Sequence, residues 1–145
     1  MQVLTCFAIL IAAWQLLFHS RQMHRDLEML YVQRYWALMD ARSVHWVLDR
    51  NPTPEDRVVV RGYLQLCEDE IDLRRLGRVT DNTRGFWDES MLSQLHDPPY
   101  LAALNESGHI EWPRLAALWE HGPTSRQRDR DPLRKTWFWR KSHGL

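Results

Sequence analysis

The first twenty residues, MQVLTCFAILIAAWQLLFHS, carry no charged side chain, and between Val3 and Phe18 only Thr5 and Gln15 interrupt the apolar run. At about 1.5 Å per residue a helix of this length covers roughly the 30 Å of a bilayer's hydrocarbon. Residues 1–20 are therefore expected to form a transmembrane anchor. A cleaved secretory signal is the competing reading, but no Lys or Arg precedes the apolar run and no small-x-small site follows Phe18. His19, Arg21, His24 and Arg25 all lie on the carboxyl side of the run, and positively charged flanks stay in the cytoplasm. This predicts a single-pass protein with its amino terminus outside and its body at the cytoplasmic face. Ala8 and Ala12 form a small-xxx-small pair, which would let a second copy of the span approach closely and make a homo-oligomer.

Past Ser20 the character changes, and residues 21–122 read as a helical body. From Arg21 to Asp49 there is neither Pro nor Gly, and Leu27, Tyr31, Leu38, Ala41 and Leu48 recur at three- and four-residue steps. A second seam, Val32, Tyr35, Met39 and Trp46, runs alongside. The expected helix continues to Asn51-Pro52, where proline stops it, and nothing in the sequence separates it from the anchor. Thr53-Pro54-Glu55-Asp56 reads as a helix start, with Val59, Tyr63, Leu66 and Leu73 on one seam, Val60, Leu64, Cys67 and Ile71 on the next, and Gly77 as the stop. A third amphipathic segment follows Thr80-Asp81-Asn82 through Leu95, weakened by Gly85. Two short helices are expected after it, one from Pro98-Pro99 closed by Asn105 to Gly108, the other from Trp112-Pro113 to Gly122. No stretch alternates with period two, so the fold class is all-α: an amino-terminal transmembrane helix, a small bundle of about three main helices, and a flexible tail over 123–145.

Charge separates body from tail. Residues 21–122 hold 12 Arg against 17 Asp and Glu, whereas 123–145 hold seven Arg and Lys against two Asp, leaving the body about −5 and the tail about +5. The tail has no apolar periodicity before Trp137-Phe138-Trp139-Arg140-Lys141. Interfacial aromatics beside cations suit an anionic membrane surface or a partner protein, and docking back onto the acidic body is the alternative. Nucleic acid is a poor match, because seven cations in a flexible tail are a weak footprint. The two cysteines, Cys6 in the span and Cys67 in the body, offer no disulfide framework and fit a reducing compartment.

The densest pattern is Arg34-Tyr35-Trp36-Ala37-Leu38-Met39-Asp40 with Tyr63 to Glu70, Leu73 to Arg78, and Trp87. Over about residues 31–95 it resembles a group of short, functionally uncharacterised bacterial single-span membrane proteins with a helical cytoplasmic body. The resemblance implies a bacterial protein of the cell inner membrane and brings no activity or site residue with it.

Three constellations bear on chemistry. Glu68 and Asp72 share a helix face at i, i+4, and with His45 they are the candidates for a metal or an acid–base site. No Glu-x-x-His pair accompanies them, so the di-iron bundle pattern is missing. Arg34 sits within an apolar seam, and a buried charge needs a partner; Glu70 is the expected structural ion-pair partner. No phosphate loop, dinucleotide fingerprint, zinc spacing or nucleophile elbow occurs, so no cofactor is implied. The expectation is a non-enzymatic, membrane-tethered interaction or scaffold protein, or an accessory subunit of a membrane complex. The rival is a membrane-bound enzyme or sensor using residues 68–72 with His45.

Overall fold

The computed structural model describes residues 2–49, 52–76, 78–79 and 81–122. The tail, including Trp137, Phe138, Trp139, Arg140 and Lys141, lies outside the described residues. Within them the fold is all-α, with six helices and no strand: α1 (Gln2–Asp40), α2 (Val44–Asp49), α3 (Asp56–Arg75), α4 (Asp81–Leu95), α5 (Pro98–Glu111) and α6 (Pro113–His121).

α1 is one helix of 39 residues, so the apolar amino end and the first body segment are indeed continuous. Its first turns stand clear of the bundle, with Phe7, Ile9, Leu10, Ile11, Trp14, Leu16 and Phe18 exposed. Among the described residues, no helix is long and apolar enough to cross a membrane. The apolar stretch of α1 gives way to charge at Arg21, with Arg25, Asp26 and Glu28 in the next two turns. A transmembrane helix over 1–20 is thus not a feature that the described residues carry.

α3 is the hub. It packs on α1, α5 and α6, while α5 also holds α4 and α6. Both expected seams of α3 turn inward: Val59, Val60, Tyr63, Leu64, Leu66, Cys67 and Ile71 are buried, leaving a helix with almost no free apolar face. From α1 the inward stripe is His24, Leu27, Tyr31, Tyr35, Leu38 and Met39. Rings form a ladder through the middle of the bundle: Trp36 on Tyr35 at 5.2 Å, Tyr35 on Tyr63 at 6.3 Å, Tyr63 on Tyr100 at 4.7 Å, and Tyr100 on Trp46 at 5.5 Å. Burial pushes the Tyr63 and Tyr100 phenols well above their ordinary range, so both stay neutral in the core.

Two expected boundaries move. The helix from α1 does not run on to Asp49 but breaks at residues 41–43, where Ser43 caps α2 by accepting the Trp46 N–H at 3.1 Å. α5 does not stop near Gly108 but continues to Glu111. Gly108 is buried, and a Cβ there would lie 2.8 Å from Leu104 Cδ1 and 3.7 Å from the Ala116 Cβ. Its role is close packing of α5 on α6 rather than termination. The final stop is as expected, Gly122 closing α6 at φ +67°.

Gly85 is a different case, because a Cβ there meets nothing within 4 Å. Gly85→Ala should therefore stabilise the fold by roughly 0.5–1 kcal/mol through helix propensity and a less entropic unfolded chain. Urea denaturation would register this as a raised midpoint at unchanged slope.

Candidate functional site

Three carboxylates are buried among the described residues, Asp56, Glu68 and Asp88; Asp88 accepts from Arg84 one turn earlier on α4 at 3.2 Å, while the other two tie separate elements together. Asp56, at the start of α3, accepts four hydrogen bonds: from Ser43 N at 2.7 Å and Ser43 Oγ at 2.6 Å, and from Thr53 N at 2.7 Å and Thr53 Oγ1 at 2.9 Å. It is 2% exposed. Burial alone would raise its pKa, but the four donors together outweigh burial and hold the carboxyl down at about 2. Asp56 thereby fastens the corner between α1 and α2 to the first turn of α3.

Glu68 plays the corresponding part at α6. That helix begins with Pro113, which has no N–H, and its preceding residue, Trp112, cannot cap it. The next two amides, Arg114 N and Leu115 N, donate to Glu68 Oε2 at 3.1 and 2.8 Å. Ala116 N then finds Trp112 O at 2.9 Å, so the first turn is fully satisfied. The Arg114 guanidinium bridges Glu68 at 3.3 Å and Asp72 at 3.1 Å. Of the metal candidates, Glu68 and Asp72 are thus drawn together around Arg114, whereas His45 stands exposed on α2. Among the described residues, no group of three His, Cys, Asp or Glu side chains could hold a metal ion. Glu68 as a cap from another helix was not foreseen, because its partners lie 46 and 47 residues away in the chain.

The expected buried pair of Arg34 with Glu70 needs correction. Arg34 is exposed, and its guanidinium lies over the Tyr31 ring at 5.8 Å. The stripe of α1 that faces α3 steps from Tyr31 to Tyr35, and this four-residue step leaves Arg34 on the flank. With its charge in water, Arg34 does not require a buried acid.

Glu70 instead lines an aromatic groove of about 280 Å³ between α1, α3 and α4. Trp87, Tyr63, Leu66 and Met91 form its buried floor, and Val32, Trp36 and Phe86 stand exposed at its rim. Its polar groups are Tyr35, Glu70, Ser90 and Gln94. Gln94 Nε2 donates to Tyr35 Oη at 2.6 Å, which leaves Gln94 Oε1 buried with no hydrogen-bond partner. Burial, followed by the negative charges of Asp69 and Glu70, raises the pKa of Tyr31, which sits behind this wall, and Arg34 opposes the shift. The groove therefore combines aromatic walls with acceptor oxygens, a lining that favours rings and cations. Period-based reading marked Tyr35, Tyr63 and Trp87 as core but gave no sign of a gap between them.

His24 and Arg74, both buried, hold the connection between α3 and α4. His24 Nδ1 donates to Arg78 O at 2.8 Å, and Arg74 Nη1 donates to Val79 O at 2.7 Å, fixing the α3–α4 connection against α1. No protein family, curated protein or solved structure matches the chain.

Proposed function

We propose that the chain is a non-enzymatic helical interaction protein held at a membrane by the amino end of α1, its α1–α3–α4 groove serving as the docking surface for a protein partner at the cytoplasmic face. One observation carries this reading. Large apolar side chains are exposed along α1 from Phe7 to Phe18, and again at Met23, Met29, Leu30, Val32 and Trp36, ending at the groove. A soluble monomer seldom leaves so extended an apolar strip uncovered. The two halves of the strip suit two solvents: the charge-free half suits lipid, and the half interleaved with Arg25, Asp26, Glu28 and Arg34 suits a protein surface. Arg21 and Arg25 support the cytoplasmic orientation. Accessory subunits of membrane complexes have the same requirements, and a homo-oligomer through α1 is compatible with them. Glu68 and Asp72, on which the enzyme or sensor reading draws, are engaged by Arg114 and α6.

The test uses two readouts. An alkaline-phosphatase fusion at Leu145 should be inactive, and the chain should co-purify with membranes. In mild detergent, Phe86→Glu should abolish capture of whatever protein the wild-type chain retains. Phe86 is 70% exposed, so the substitution should leave helix content and melting temperature unchanged. Undiminished capture by Phe86→Glu would remove the groove from the function, and an active phosphatase fusion would remove the orientation.

A further inference from the structure

The groove's size limits its occupant. Ligand pockets run roughly 300–1,000 Å³, so about 280 Å³ accommodates one or two aromatic side chains rather than a bulky cofactor. Its chemistry limits the occupant further. The rim offers the rings of Trp36 and Phe86, and the polar lining offers the Glu70 carboxylate and the unpartnered Gln94 Oε1. An entering group is best matched if it brings apolar rings together with N–H donors or positive charge.

The chain itself contains such a segment. Trp137-Phe138-Trp139-Arg140-Lys141 lies in a stretch of about +5 tethered to a body of about −5. Position also favours it. Trp119 packs on His96 with ring centroids 5.0 Å apart, which places the end of α6 beside the end of α4. Gly122, where the described chain ends, is three residues past Trp119, and Gln94 of the groove is two residues before His96. The tail therefore leaves the bundle from the end of α6, beside the end of α4 that carries Gln94. The 14 residues between Gly122 and Trp137 reach up to about 45 Å when extended. A tether of that length gives an effective concentration on the order of millimolar, so even weak contacts would be occupied.

We propose that the α1–α3–α4 groove is occupied by the chain's own carboxyl-terminal segment 137–141, with its rings between Trp36, Phe86 and Met91 and its cations facing Glu70 and Gln94 Oε1. This rests on reading the groove as a docking site and adds its regulation: a partner must displace the tail, so the tail sets the threshold for binding. Anionic lipid drawing Arg140 and Lys141 away would lower that threshold.

Photo-cross-linking in the full-length chain tests the proposal. Benzoylphenylalanine replaces Phe138, and equal amounts of light and isotope-heavy chains are mixed in phosphatidylcholine vesicles. Irradiation should join residue 138 to peptides containing Trp36, Phe86 or Met91 within a single chain. Phe86→Glu should reduce the yield at least tenfold with helix content unchanged. Glu70→Arg should reduce it several-fold, and Arg140→Glu with Lys141→Glu should restore it. Cross-links to lipid, to a second copy or to another face would overturn self-occupancy, as would a yield insensitive to both groove variants. If the cross-links fall elsewhere while Phe86→Glu still abolishes partner capture, self-occupancy fails and the docking reading stands. If they fall in the groove while Trp137→Ala/Trp139→Ala captures no more partner than wild type, the regulatory consequence fails.

Discussion

Asp56→Ala is expected to lower the melting temperature by about 10 °C, the larger of two stability effects that this fold predicts. The carboxylate is the acceptor for two backbone amides and two hydroxyls, from Ser43 and Thr53. Its removal leaves buried donors without a partner, at a cost of roughly 3 kcal/mol for a charged acceptor, and each kcal/mol moves a domain of this size by about 3–5 °C. Asp56→Asn should recover only part of this, since its amide oxygen accepts on one side while its N–H₂ meets a backbone N–H of Ser43 or Thr53 on the other. The same site sets an acid limit. The carboxyl titrates at about 2 in the fold against an ordinary 3.8, so the unfolded chain binds the proton first and acid favours unfolding. The stabilisation is complete above about pH 4 and is lost as pH falls toward 2, amounting to about 2 kcal/mol. Denaturation curves at pH 5 and pH 2.5 should show a smaller acid loss in Asp56→Asn than in wild type. Equal losses would mean that another group governs the acid transition.

Asp56 also illustrates which parts of the fold a linear reading reaches. Thr53-Pro54 was legible as a start because the chemistry is local: a hydroxyl residue, then a proline, then acids. The apolar seams of α3 were legible because burial on all sides writes itself into a 3.6-residue period. The break at residues 41–43 was not, since Ser43 is unremarkable until an acid 13 residues later holds both its amide and its hydroxyl. Gly108 misled for a related reason: glycine at a terminus and glycine under a neighbouring helix look identical in sequence. Arg34 was misplaced by a single step of the period, Tyr35 taking the inward position. The groove was least legible of all, because its walls are ordinary core residues and only their spacing in three dimensions leaves a gap.

Glu68→Ala tests whether the acidic run on α3 serves architecture, and its expected signature is local before it is global. Pro113 removes one amide from the first turn of α6, and Glu68 supplies the acceptor for the next two. Without it, Arg114 N and Leu115 N have no acceptor in a region where Leu115 is fully buried, and Arg114 keeps only its bridge to Asp72 at 3.1 Å. The expected cost is about 2–3 kcal/mol. Hydrogen exchange should accelerate at Arg114 and Leu115 well before the amides of α3 respond, since α6 is short and helices of nine residues rely on caps and packing rather than propensity. Glu68→Gln should cost about 1 kcal/mol, because its amide oxygen still accepts an N–H while the charge facing Arg114 is gone. A catalytic or metal role for Glu68 would show the opposite pattern, with activity or metal content lost in Glu68→Gln at unchanged exchange rates. The order Ala worse than Gln, together with early opening of α6, is what a helix cap supplied from a neighbouring helix requires.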